Sequence, residues 1–175
     1  MNRMMAWWML LGTCGAQEAA WRTVADVDYV GQGNPRQTLD LFLPAAPSDA
    51  PRPLVVFIHG GGWENGSKAN PGLLRDLIAD GAYAGASLNY RLSSEAIWPA
   101  QIHDVKAAIR WIRAHAGAHG LDPDRIAVFG ISAGGHLASM LGVSHGVAEL
   151  EGTLGPHPET SARVTCVMDF CGPSN

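Results

Sequence analysis

Apolar and polar residues alternate along 23–30 (TVADVDYV) and 37–44 (QTLDLFLP). That period of two is the pattern of a half-buried strand. Gly31 to Pro35 separates the two runs as a turn, so the pair predicts an antiparallel hairpin. The pattern then changes. Residues 54–59 (LVVFIH) are almost continuously apolar, as in a strand covered on both faces. Residues 71–81 (PGLLRDLIADG) predict a helix that Gly81 stops, and 82–90 (AYAGASLNY) the next strand. Over 99–116 (PAQIHDVKAAIRWIRAHA) the period becomes helical. Ile102, Val105, Ile109 and Ile112 share one face, and Pro99 suits the first turn. Residues 125–130 (RIAVFG) predict another buried strand, introduced by the turn Asp122-Pro123-Asp124. Residues 133–142 (AGGHLASMLG) predict a short helix of small residues. A polar stretch with Gly and Pro runs from Val143 to Arg163, and 164–170 (VTCVMDF) predicts a last strand. Strands alternating with helices predict an α/β fold, a mostly parallel sheet with helices on both faces. Such sheets carry their sites at the carboxyl ends of the strands.

Composition adds bounds rather than chemistry. A chain of 175 residues, 47% apolar, suits one domain with its own core. A net charge of −4 gives no reason to expect nucleic acid or an anionic membrane surface as partner. The first sixteen residues carry a different signal. A basic start at Arg3, an apolar run from Met4 to Leu11 and small residues at Cys14 and Ala16 are the order of a secretory signal peptide, cleaved before Gln17. The run is too short for a stable membrane anchor. The expected location is therefore secreted or periplasmic, with 17–175 as the folded part. Cys166 and Cys171 are five positions apart on extended chain, too far for a disulfide unless a tight turn intervenes. They are expected to be small buried residues. No metal-ligand spacing surrounds them, and the chemistry below calls for no cofactor.

Two motifs carry chemistry. Gly130-Ile131-Ser132-Ala133-Gly134 stands between a buried strand and a helix. A sharp strand-to-helix turn there lifts the Ser132 hydroxyl above the sheet, and the flanking glycines let the backbone pass without Cβ clashes. His59-Gly60-Gly61-Gly62-Trp63 follows the strand 54–58. Consecutive glycines leave backbone N–H groups uncovered, and with the N–H of Ala133 they suit an oxyanion formed when Ser132 attacks a carbonyl. A phosphate-binding loop would place a lysine and a Ser/Thr directly after its glycines, and Lys68 is not so placed.

These motifs, with QTLDLFLP, SLNYRLS, the helix segment WPAQIHDVKAAIRWIRAHA and ELEGTLG, resemble the esterase and lipase branch of the α/β-hydrolase fold. The segments are most similar to the secreted acetyl-xylan and feruloyl esterase group, a relative of the hormone-sensitive-lipase-like esterases. The resemblance implies Ser132 as nucleophile, Gly61, Gly62 and Ala133 as oxyanion donors, and Trp63 and Glu64 bordering the substrate pocket. It implies a small ester or an acylated polysaccharide as substrate.

A serine needs a base to take its proton, and the base needs an acid to fix its tautomer. The family order is Ser, then acid, then His. His136, His145 and His157 follow Ser132, but none follows a suitable acid on a later strand end, and no histidine follows Asp169. The expectation is that 17–175 form the N-terminal part of such a domain, with the triad acid and histidine after Asn175 and the last strands absent. The sheet would then end at the apolar strand 164–170. His136 is expected to face into packing, His59 to be structural, His103 to lie on a solvated or half-packed face, and Asp104 to pair with an arginine such as Arg91. Trp98 and Trp111 are expected in packing, with a sugar platform as the lesser reading for Trp98. His145 and His157 could line a substrate mouth. Two other readings remain open on sequence: a fragment that binds carbohydrate or protein without catalysis, and a lipase or amidase of the same fold.

Overall fold

The computed structural model describes residues 21–174, so the leader expected over residues 1–16 lies outside the described residues. Six strands form one sheet in the order β1-β2-β4-β3-β5-β6. β1 (Trp21–Asp28) and β2 (Thr38–Pro44) pair antiparallel, as the alternating pattern requires, and β2 pairs antiparallel with β4 (Ala84–Leu88). β3 (Arg52–Ile58), β4, β5 (Leu121–Ile131) and β6 (Cys166–Phe170) run parallel. The central strands are the continuously apolar ones. Val56, Ile58, Ala86, Leu88 and Val128 are fully buried, because helices or loops cover both faces.

One face carries α2 (Ala100–His115) and α3 (Ala133–Val143), whose Ile102, Val105, Ile109, Leu137 and Leu141 join the main core. The other face carries a smaller cluster of Phe42, Val55, Phe57 and Phe129, closed by Leu74 and Ile78. That cover is shorter than the pattern of 71–81 predicts. Only α1 (Leu74–Leu77) is helical, with Gly72 and Gly81 in left-handed conformation on either side. α4 (Ala148–Glu151) is one turn inside the stretch expected to be irregular.

Among the described residues, β6 lies at the end of the sheet and pairs with β5 alone. The expectation of buried cysteines is corrected: Cys166 on β6 and Cys171 just after it are free and exposed.

Candidate active site

The site grows from the place where β5 turns into α3. Ser132 sits there with φ 55° and ψ −121°, a conformation that a residue with a Cβ adopts only under constraint. The constraint is visible on both sides. The Ser132 N–H donates to the Phe170 carbonyl at 2.8 Å, and its own carbonyl accepts from the His136 N–H at 3.0 Å. The turn is closed by direct backbone contact. A Cβ on Gly130 would lie 2.1 Å from the Gly134 carbonyl oxygen, and one on Gly134 would lie 2.1 Å from the Ile58 carbonyl oxygen. The Ser132 side chain is thereby left exposed at the carboxyl edge of the sheet.

The glycine loop packs directly on this turn. A Cβ on Gly60 would meet the Ile131 carbonyl oxygen at 2.6 Å and the Ser132 Cβ at 3.4 Å. Beyond Gly60 the backbone is left-handed at Gly61 (φ 115°), Gly62 (φ 62°) and Trp63 (φ 60°). The Gly61 carbonyl accepts from the N–H groups of Glu64 and Asn65, both at 3.1 Å, which closes a turn. Among the described residues, none of the loop and turn hydrogen bonds consumes the N–H of Gly61 or Gly62. The N–H of Ala133 is the first of α3 and has no intrahelical acceptor. Gly61, Gly62 and Ala133 therefore keep unengaged N–H groups, on the turn that bears the exposed serine and on the loop that packs against it.

Beside Gly62 lies a cavity of about 410 Å³. Trp63 and Glu64 line it, together with Ser93, Trp98, Gln101 and His136. Two of these correct the sequence reading. His136 does not face away from the site: its ring packs edge-on to Trp63 at 5.3 Å and tilted on Trp98 at 5.6 Å, and so forms part of the cavity wall. Trp98 is 43% exposed rather than packed. Nothing in the local pattern singled out Ser93 or Gln101.

The remaining candidates are engaged elsewhere. His59 is buried and stacked on Tyr90 at 4.3 Å, and its Nδ1–H donates to the Gly60 carbonyl at 2.7 Å. Burial, followed by the nearby Arg36 charge, lowers its pKa against the opposing Gly60 bond. His103 bonds the Glu149 carbonyl through Nε2 at 2.9 Å. Asp104 pairs with Arg91 as expected, and also accepts from Gln37 Nε2. Asp169 accepts from Ser139 Oγ and the Gly172 N–H, both at 2.7 Å. His145 lies near Glu151 and His157 packs on the His115 ring, so neither lines the cavity beside Gly62.

Residues 39–175 match the BD-FAE family. The chain is 37% identical over 130 residues to the esterase LipC of Mycobacterium tuberculosis, covering 73% of this chain and 32% of that protein. It superposes on a truncated form of a carbohydrate esterase from gut microbiota with TM-score 0.83 and 34% identity, covering 89% of this chain and 59% of that one. A bifunctional GH43-CE protein of Bacteroides eggerthii gives TM-score 0.79 at 37% identity, over 86% of this chain and 21% of that one. The chain thus spans about a third of the length of LipC. With the parallel sheet, the strained serine turn and the glycine loop in contact, the chain belongs to the BD-FAE family of α/β-hydrolase fold proteins.

Proposed function

We propose that the protein is a serine carboxylic-ester hydrolase that works through an acyl-enzyme on Ser132. The observation that carries this is the exposed, strained Ser132 on a turn packed against the glycine loop, with the N–H groups of Gly61, Gly62 and Ala133 unengaged among the described residues. In the proposed reaction Ser132 Oγ attacks the ester carbonyl carbon. The carbonyl oxygen becomes an anion that accepts from the N–H groups of Gly61, Gly62 and Ala133. The alcohol leaves with a proton, and water then releases the acid. A donor of this kind contributes about 3 kcal/mol to the transition state. For the proton acceptor the reading takes a histidine that follows Ser132 in the order serine, acid, histidine.

For the substrate we favour an acyl group, acetyl or feruloyl in size, carried on plant polysaccharide. The two carbohydrate-esterase neighbours support it, as does the aromatic lining of the cavity by Trp63 and Trp98. Trp63 and Glu64 then border the bound ester. The reading includes export from the cytoplasm, on the leader pattern of residues 1–16. The test is the full-length protein and its Ser132→Ala variant on acetylated, feruloylated, long-chain and amide substrates. Ser132→Ala should lower kcat about 10⁶-fold, and acylated oligosaccharide should be the best substrate. Turnover indifferent to Ser132 would overturn the nucleophile. Carbohydrate binding without any turnover would favour a binding role instead.

A further inference from the structure

Lys68 has no part in the chemistry described above, yet it is buried and heavily bonded. Its Nζ donates to Asp26 Oδ1 at 2.7 Å and to Asp40 Oδ1 at 2.5 Å. Its backbone N–H donates to Asn89 Oδ1 at 2.7 Å, and its carbonyl accepts from Ser87 Oγ at 2.9 Å. One residue is thus tied to β1, to β2 and to the end of β4. β1 is deformed to reach it. The register slips between Val24 and Val27, Asp26 adopts φ 54°, and its N–H donates to Asp40 Oδ1 at 2.8 Å. A bulge of this kind re-aims a side chain, and here it adds a second carboxylate beside the ammonium.

The position of this knot matters. It lies just past the segment 60–66, in which Gly61, Gly62, Trp63 and Gly66 all have positive φ. Such a backbone has little preference of its own for the geometry the oxyanion needs. Its entry is fixed, because β3 precedes it and Gly60 abuts the Ile131 carbonyl. Its exit must be fixed from outside. Arg36 Nη1 donates to the Gly66 carbonyl at 2.9 Å, and Lys68 anchors the chain two residues later. We propose that Lys68, gripped by Asp26 and Asp40, is a positioning residue that holds the glycine loop where Gly61 and Gly62 can donate to the oxyanion. The proposal rests on the esterase reading. It assigns Lys68 no contact with substrate.

The experiment uses the full-length protein with Lys68→Met and Lys68→Arg, on a small acetyl ester. Lys68→Met should lower kcat at least 10-fold with KM within about 2-fold, since the loss falls on a transition-state interaction. Lys68→Arg should recover part of it. Backbone hydrogen exchange in 60–68 should quicken in Lys68→Met while β3 and β5 keep their protection. Asp26→Asn carries the same readouts if Lys68→Met does not fold, because the Asp26 carboxylate is 78% exposed and its loss is mild. Unchanged kcat, or exchange that quickens evenly over the sheet, would overturn the proposal. The exchange measurement does not depend on turnover, so failure of the loop clamp and failure of the esterase reading are separable.

Discussion

A methyl group on Gly134 would lie 2.1 Å from the Ile58 carbonyl oxygen and 2.6 Å from that of His59. Both are backbone atoms of the central strand and its end, and neither can yield cheaply. A methyl on Gly62 would meet nothing within 4 Å, and only its φ of 62° would be strained. The two glycines of one site therefore answer differently to the same substitution. Gly134→Ala should destabilise by about 3 kcal/mol, at the upper end of overpacking costs. Gly62→Ala should cost about 1 kcal/mol, the penalty of a left-handed residue. Yet Gly62→Ala should still reduce ester turnover, because Gly62 lines the cavity and its N–H is one of the proposed oxyanion donors. Urea unfolding of both variants checks the order, and a larger loss at Gly62 would contradict it. The glycines announce this much in the sequence, since three in a row after a buried strand have few other uses. His136 does not. A single histidine on a helix carries no direction until the left-handed loop beside it places Trp63 against its ring.

Helix α2 shows how far periodicity reaches. Ile102, Val105, Ile109 and Ile112 form the forecast stripe and are all buried. Gln101, Asp104, Lys106 and Arg110 are buried as well, and no hydropathy pattern foretells that. Their cover comes from distant chain: Arg91 and Gln37 on Asp104, and α4 on the two cations. α1 fails in the opposite sense. Its segment needs to bury only Leu74 and Ile78, which reach toward Gly85, while Leu73 and Leu77 remain about half exposed. A short segment with so little buried area does not offset the cost of nucleating a long helix. The contact between α2 and α4 gives a prediction. Glu151 accepts from Lys106 Nζ at 3.0 Å, Arg110 Nη2 at 3.3 Å and the Gly146 N–H at 2.8 Å. Burial raises the Glu151 pKa, but the Gly146 bond and the two cations outweigh it and hold the carboxyl below its usual range. Glu151→Gln would leave two buried cations facing a neutral amide. It should destabilise by about 3 kcal/mol, the low end for a broken buried pair, since Ser144 and Glu151 carbonyls still accept from them. A loss below about 0.5 kcal/mol in urea unfolding would show that these backbone acceptors suffice.

The molecule as a whole should respond to mild acid through its imidazoles. Asp28, Asp122 and Glu151 all have pKa values held below their ordinary 3.8 to 4.5, so their contributions are complete at pH 5. Lys68 is raised from 10.5, because its bonds to Asp26 and Asp40 outweigh burial, and it is fully charged at pH 7. Between pH 5 and 7 the shifted groups left are His59 and His119, both lowered from 6.5, and both chiefly by burial. A lowered imidazole pKa means that the unfolded chain binds more protons than the fold in this window. Stability is then full well above about 6.5, falls as the pH drops from there toward the folded values, and levels off below them. His59 is the better buried of the two. Its Nε2 has no partner among the described residues, so a charge there would be stranded between Tyr90 and the end of β3. The urea midpoint should therefore decline steadily from pH 7 to pH 5. His59→Gln should start from a lower midpoint, having lost the stack on Tyr90, but show a shallower decline. Parallel declines in the two proteins would mean that the fold charges His59 at no cost, and that some other group carries the acid sensitivity.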